Sequence, residues 1–170
     1  MIPGFKYAGM LSPKDLATKA AAGERALLPF GLLSLEKVSD EPLDARVVSA
    51  LYVLLEVAEE VGGVVMPPVY AYSRQVLVTV FNESLRALAS LGFREVVALT
   101  LCDDLCDLPI DESLTKSLKV RILCPKQLGI RDINSVVLSY CGWSERALRL
   151  GGARIWRQLV KSVVRSLIHT

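Results

Sequence analysis

The segment that decides the fold class reads Gly92-Phe93-Arg94-Glu95-Val96-Val97-Ala98-Leu99-Thr100-Leu101-Cys102-Asp103-Asp104. A glycine turn leads into an apolar strand, and a thiol and two carboxylates follow where the strand ends. In open α/β sheets, ligands bind beyond the carboxyl ends of the strands. Cys102, Asp103 and Asp104 are therefore candidate site residues.

Short apolar segments alternate with amphipathic segments along the rest of the chain. We predict strands over 25–33, 64–66, 95–102 and 119–124, and helices over 12–23, 43–61, 73–91, 144–150 and 153–168. Residues 34–41 read as a loop, and 132–139 as a strand or a helix. This alternation predicts an α/β fold with three α/β/α layers and a mainly parallel sheet, in one domain spanning residues 1–170.

Composition excludes several classes of protein. The 20 basic and 18 acidic residues give a net charge of +2, so we expect neither nucleic-acid nor membrane-surface binding. No apolar run is long enough to span a bilayer, and residues 1–11 lack signal-peptide features, which makes a cytoplasmic location the default expectation. The scarcity of Asn and Gln and the excess of Arg over Lys are features of thermophilic proteins.

Four cysteines are too few and too dispersed for a secreted disulfide scaffold. Cys102 and Cys106 have a spacing that suits a metal, but no second pair completes a zinc motif. A disulfide of Cys102 with Cys106 or Cys141 is an open alternative, as is a nucleophilic role for Cys102. The nucleophilic role lacks a histidine base, because the chain's single histidine is His169.

Three further segments make the arrangement recognisable. They are Leu27-Leu28-Pro29-Phe30-Gly31, Met66-Pro67-Pro68-Val69-Tyr70-Ala71-Tyr72-Ser73 and Tyr140-Cys141-Gly142-Trp143-Ser144-Glu145-Arg146-Ala147-Leu148. Together with the segment quoted above, and in this order, they resemble the creatininase family of metal-dependent amidohydrolases. The resemblance implies a creatininase-like fold, a homo-oligomer and a site that normally holds two metal ions.

The first half of the resemblance concerns the family's Pro-x-Gly-Ser-x-Glu-x-His-Gly segment. Pro29 and Gly31 match it. An ungapped alignment places Ser34 at the family's Glu and Glu36 at its His, whereas a two-residue shift places Glu36 at the Glu. The following segment makes Asp44 the counterpart of the bridging aspartate.

The second half of the resemblance loses the family's histidines. Cys102 falls at the metal-binding histidine of the Asn-Gly-His-Gly-Gly-Asn signature, and Tyr140 at the histidine of the later signature, in which Gly142 and Glu145 persist. A histidine-containing block that family members carry after the Pro-Pro turn is absent from this chain.

The family hydrolyses cyclic or linear amides by a hydroxide that two metals generate. The resemblance implies Glu36, Asp44, Cys102 and Glu145 as ligands for a divalent metal such as Zn, Mn or Fe. The implied pocket residues are Ser34, Asp103, Asp104, Tyr70, Tyr140 and Trp143.

Because most of the family's metal ligands are altered, we expect a chain that lacks the dinuclear activity. Such a chain would serve as a binding or structural subunit, in a homo-oligomer or beside a related subunit. The alternative is a hydrolase of a small cyclic or formamide-type amide with a remodelled carboxylate and thiolate site.

Overall fold

The computed structural model of the protein describes residues 7–33, 35, 43–131 and 152–169. The predicted elements over 132–139 and 144–150, and all of the predicted loop over 34–41 except Leu35, lie outside the described residues.

Five helices and five strands make up the described part of the chain. The helices are α1 (Pro13–Ala21), α2 (Ala45–Val61), α3 (Arg74–Ser90), α4 (Glu112–Thr115) and α5 (Gly152–Ile168). The strands are β1 (Ala26–Leu32), β2 (Val64–Val65), β3 (Val69–Ala71), β4 (Glu95–Leu99) and β5 (Lys119–Leu123). Short 3-10 turns cover Ala8–Met10 and Asp103–Leu105. The sequence did not predict β3, α4 or these turns.

All strand pairs are parallel, and the strand order is β2-β1-β4-β5. β3 pairs with the second half of β1, beyond the end of β2, so that β2 and β3 together flank one side of β1. The predicted parallel sheet is confirmed. Its carboxyl ends bring the segments after β1, β3, β4 and β5 to one edge.

Pro29 lies inside β1, where a proline would normally remove a hydrogen bond from the sheet. Arg25 and Leu27 accept hydrogen bonds from Val64 and Met66 on the β2 side, so alternate residues of β1 face that side. Pro29 continues this alternation and faces the neighbouring segment between β2 and β3, which Pro67 and Pro68 interrupt. The missing N–H of Pro29 therefore falls where its neighbour has no regular strand.

Alternate residues of the strands face two separate apolar cores. Leu27, Val97 and Leu99 belong to the core that α2 and α5 cover. Leu28, Phe30 and the neighbouring even-numbered residues of β4 belong to the core that α1 and α3 cover. Burial on both faces explains why the strands read as continuous apolar runs, and it confirms helices on both sides of the sheet.

The ends of the helices follow the local sequence signals. Ser12 and Asp15 form a reciprocal capping box at the start of α1, and Ser73 accepts a hydrogen bond from the Val76 N–H at the start of α3. Gly92 follows α3 with a φ of 103°, a conformation that favours glycine. Among the described residues, no helix is long and apolar enough to cross a membrane.

Candidate functional site

The crevice between the ends of β1 and β4 is the topological position at which an open α/β sheet would bind a ligand. From β1 the chain passes to β2 on one side, and from β3 it crosses to β4 on the other side. Ligands bind at such a reversal of strand order, outside the carboxyl ends. Gly31, Thr100 and Cys102 meet there.

Protein atoms fill this crevice closely. Cys102 is buried, and its N–H donates a 3.1 Å hydrogen bond to Thr100 Oγ1. A Cβ atom built on Gly31 would lie 3.1 Å from Val47 Cγ2 and 3.7 Å from Cys102 Sγ. Gly31 therefore allows α2 and Cys102 to approach β1, and the predicted metal-ligand position is a packed, largely apolar place.

The thiol of Cys102 has a raised pKa. Burial is the dominant cause, because it disfavours the thiolate. A main-chain hydrogen bond with Leu32, the charge of Arg46 and a hydrogen bond with Thr100 lower the pKa, and the charge of Asp104 adds a smaller upward effect. The thiol is consequently neutral at pH 7, which opposes the nucleophilic role considered above.

The raised pKa of Cys102 predicts a pH-dependent contribution to stability. Its contribution is complete below the pKa of the unfolded chain, close to 9.0, and is lost as pH rises toward the higher folded value. The stability of the wild type against urea should therefore fall relative to that of Cys102→Ser as pH rises above 9, with a differential slope of at most ~1.4 kcal/mol per pH unit. Parallel stability curves for the two proteins would contradict this account of the thiol.

Arg46 is a functional candidate that the sequence analysis missed. It lies in the first turn of α2, and its Nη1 donates a 2.9 Å hydrogen bond to the Leu101 carbonyl oxygen. Its charge acts on the adjacent Cys102 thiol. The sequence could have indicated Arg46 by its position, because the first turn of a helix that follows β1 lies near the carboxyl edge of the sheet.

Asp44 and Tyr70 line an open groove of about 460 Å³ beside β3. Asp44 immediately precedes α2, is exposed and makes no side-chain hydrogen bond to the helix. We refer to this feature as the tyrosine groove. Its lining residues are Leu33, Leu43, Asp44, Val47, Val48, Pro68, Tyr70 and Tyr72.

Asp103 and Asp104 lie in the 3-10 turn that follows β4. Asp103 Oδ1 accepts a 2.9 Å hydrogen bond from the Lys126 N–H, and the main-chain oxygen of Asp104 accepts a 2.7 Å bond from Arg74 Nη1. Both contacts fix the loop that follows β4. The predicted site residues thus divide into a groove, a buried thiol and a loop.

The structure excludes the alternative in which Cys102 forms a disulfide with Cys106. Cys106 is bonded to Cys124, with 5.6 Å between their Cα atoms, and Cys102 is a free, buried thiol. The pairing follows from the sheet, because Cys106 and Cys124 follow the adjacent strands β4 and β5. Cys141, the other partner considered for Cys102, lies outside the described residues.

Half of the predicted site residues lie outside the described residues. They are Ser34, Glu36, Tyr140, Trp143 and Glu145. Their roles therefore stay predictions.

Solved creatininase structures share the fold of this chain. A creatininase described as "Creatininase Mn" matches at 21% identity with a TM-score of 0.63, covering 79% of this chain and 63% of its own. A creatinine amidohydrolase (creatininase) and a mutant creatininase complexed with creatine each match at 20% identity with a TM-score of 0.62 and the same coverages. This chain thus spans less than two thirds of the length of the structures it matches.

No protein-family model and no curated protein matches this sequence. The parallel sheet and the helices on both of its faces define a three-layer α/β/α protein. Within that class, the chain has a divergent creatininase-like fold.

Among the described residues, neither Asp44 nor Cys102 belongs to a cluster of three His, Cys, Asp or Glu ligand atoms that could hold a metal. A Cys102 ligand would need to become a thiolate, which burial opposes. The charge of Arg46 also acts on the Cys102 thiol, and a nearby positive charge disfavours a dication at that sulfur.

Proposed function

We propose that this protein is a creatininase-like chain without the dinuclear amidohydrolase centre, and that it acts as a binding or structural subunit. The observation that carries the proposal is the position of Arg46. Its guanidinium donates a hydrogen bond to the Leu101 carbonyl, just beyond β4. Its charge also acts on the adjacent Cys102, the residue that the resemblance aligns with a metal-binding histidine. A positive charge that acts on the Cys102 thiol disfavours a metal at that position.

Metal content tests this proposal. The oxidised wild-type protein, prepared without a chelator or a reductant, should contain far less than one divalent metal per chain by elemental mass spectrometry. The double variant Asp44→Ala, Glu145→Ala should be no different. Stoichiometric metal that the double variant loses would overturn the proposal and support the alternative, a remodelled hydrolase of a small cyclic or formamide-type amide with Zn, Mn or Fe.

We propose the tyrosine groove as the binding surface of this subunit, with a second copy of the chain or a related subunit as the partner. Leu43, Tyr70 and Tyr72 are 45%, 55% and 62% exposed around it. Exposed aromatic side chains grouped around an apolar groove are typical of protein interfaces. The groove also adjoins β3, which pairs with β1 on its inner side.

Removing the tyrosine rings should weaken self-association. We expect Tyr70→Ser combined with Tyr72→Ser to raise the dissociation constant of the oligomer at least ~10-fold in sedimentation equilibrium. Ile168→Ser is the matched control, because Ile168 is 61% exposed at the end of α5 and lies outside the groove. If the wild type and the Tyr70→Ser, Tyr72→Ser variant form the oligomer equally well, the groove is excluded as the contact surface.

Cytoplasmic location in a thermophilic organism is part of the proposal. An intracellular disulfide is unusual in mesophiles but frequent in hyperthermophiles, so the Cys106–Cys124 bond supports a thermophilic source.

A further inference from the structure

The disulfide lies in a cluster of metal-ligand types that the creatininase comparison does not use. Asp103, Cys106 and Cys124 each offer one ligand atom, and these three atoms lie within 4.8 Å of one another. Two sulfurs and a carboxylate are a donor set that zinc accepts. In the oxidised protein the sulfurs are bonded to each other, and a disulfide is not a zinc ligand because zinc binds thiolates.

We propose that reduction of the Cys106–Cys124 disulfide creates a zinc site made of the two thiolates and the Asp103 carboxylate. A dithiol reductant supplies two electrons and two protons, cleaves the S–S bond to two thiols and becomes a disulfide itself. Zinc then binds the two sulfurs and releases their two protons to solvent. The fourth position of the tetrahedron is open to water.

The distances suit this conversion. Ligand atoms on a tetrahedral zinc lie about 3.5 to 3.8 Å apart, given Zn–S and Zn–O bonds of about 2.3 and 2.0 Å. The two sulfurs start about 2 Å apart in the disulfide, so the distance between them needs to increase by less than about 2 Å to reach the zinc geometry. Cys106 is partly exposed and Asp103 is exposed, so solvent, reductant and metal have access, whereas Cys124 is buried.

The surroundings hold the third ligand in place and favour a cation. The Lys126 N–H donates to Asp103 Oδ1 and leaves the other carboxylate oxygen available for the metal. Asp104 and Asp107 add two further carboxylates to the same short loop, although Asp107 is paired with the Arg74 guanidinium at 3.3 Å. Three carboxylates beside this one guanidinium leave the loop acidic, which favours a divalent cation.

Zinc titration of the intact chain tests the proposal. We expect the protein reduced with a phosphine, which carries no competing thiol, to bind one Zn²⁺ per chain by calorimetry, and the oxidised protein to bind none. Cys106→Ser and Cys124→Ser should each lose this binding. Asp103→Asn should weaken it ~10- to 100-fold, whereas Asp107→Asn, the matched control in the same loop, should change it less than about threefold.

Cobalt provides a second measurement that does not depend on the variants folding. Co²⁺ added to the reduced wild type should give thiolate-to-metal charge-transfer absorption, which Zn²⁺ should abolish by displacement. A reduced protein that binds no zinc, or zinc binding that survives both cysteine substitutions, would overturn the proposal. So would a reduced chain that unfolds and does not regain its circular dichroism spectrum when zinc is added. Because Asp44 and Glu145 are not part of this site, either result leaves the proposed function to be tested separately.

Discussion

Replacing both Cys106 and Cys124 with alanine should lower the free energy of unfolding by about 3 kcal/mol. The two cysteines are separated by 18 residues, and closing a loop of that length removes about this much conformational freedom from the unfolded chain in the chain-entropy description. The loop that the disulfide closes includes all of α4 and all of β5, so the bond constrains the last described strand of the sheet.

Urea unfolding in the absence of metal measures this effect. The wild type treated with a phosphine should unfold at the same urea concentration as the double variant, while Cys102→Ser should keep the response of the wild type to reductant. Equal stability of the oxidised and reduced wild type would show that the bond contributes nothing to the native fold.

Asn82→Ala should destabilise the protein by about 2 to 3 kcal/mol. Asn82 is a buried polar residue of α3, and its Nδ2 donates to the main-chain oxygens of Val78 and Pro109 at 2.8 and 3.0 Å. Its Oδ1 accepts a 2.8 Å hydrogen bond from the Asp111 N–H. Alanine leaves the Pro109 oxygen and the Asp111 N–H without this partner, and each such group costs roughly 1 to 3 kcal/mol where water cannot replace it.

Comparison with two other substitutions separates the hydrogen bonds from simple loss of volume. Asn82→Asp keeps the acceptor for Asp111 but places a carboxylate against two carbonyl oxygens, so it should be at least as destabilising near pH 7. Ser84→Ala, on the same helix, removes only a bond to the Val80 carbonyl and should cost less than about 1 kcal/mol. If Asn82→Ala and Ser84→Ala cost the same, the bridge to the 109–111 segment has no stabilising role.

Hydrophobic periodicity predicted most of the fold because the sheet is buried on both faces. The apolar runs around Leu27 and Val97 and the amphipathic pattern of α5 needed no tertiary information. β3 was missed because its three residues follow Pro67 and Pro68 and were read as a turn. Its pairing depends on β1 being longer than β2, which is a tertiary property.

The candidate site was less predictable than the fold. The order of the strands decides which chain segments meet, and so it decided that Cys106 pairs with Cys124 rather than with Cys102. Arg46 resembles any basic residue at a helix surface until α2 is placed beside β4. Asp103 was correctly placed at the carboxyl edge of the sheet, but its bond to the Lys126 N–H depends on the β5 loop.

A packed thiol, with the Arg46 guanidinium near it, stands where the resemblance implies a metal ligand. The most direct measurement is the divalent-metal content of the oxidised protein after incubation with Mn²⁺ or Zn²⁺ and removal of free metal, for the wild type and the Asp44→Ala, Glu145→Ala double variant. We predict well below one metal per chain in both. One or two metals per wild-type chain, lost in the Asp44/Glu145 variant, would contradict the claim and identify this chain as a metal-binding relative of the solved creatininases.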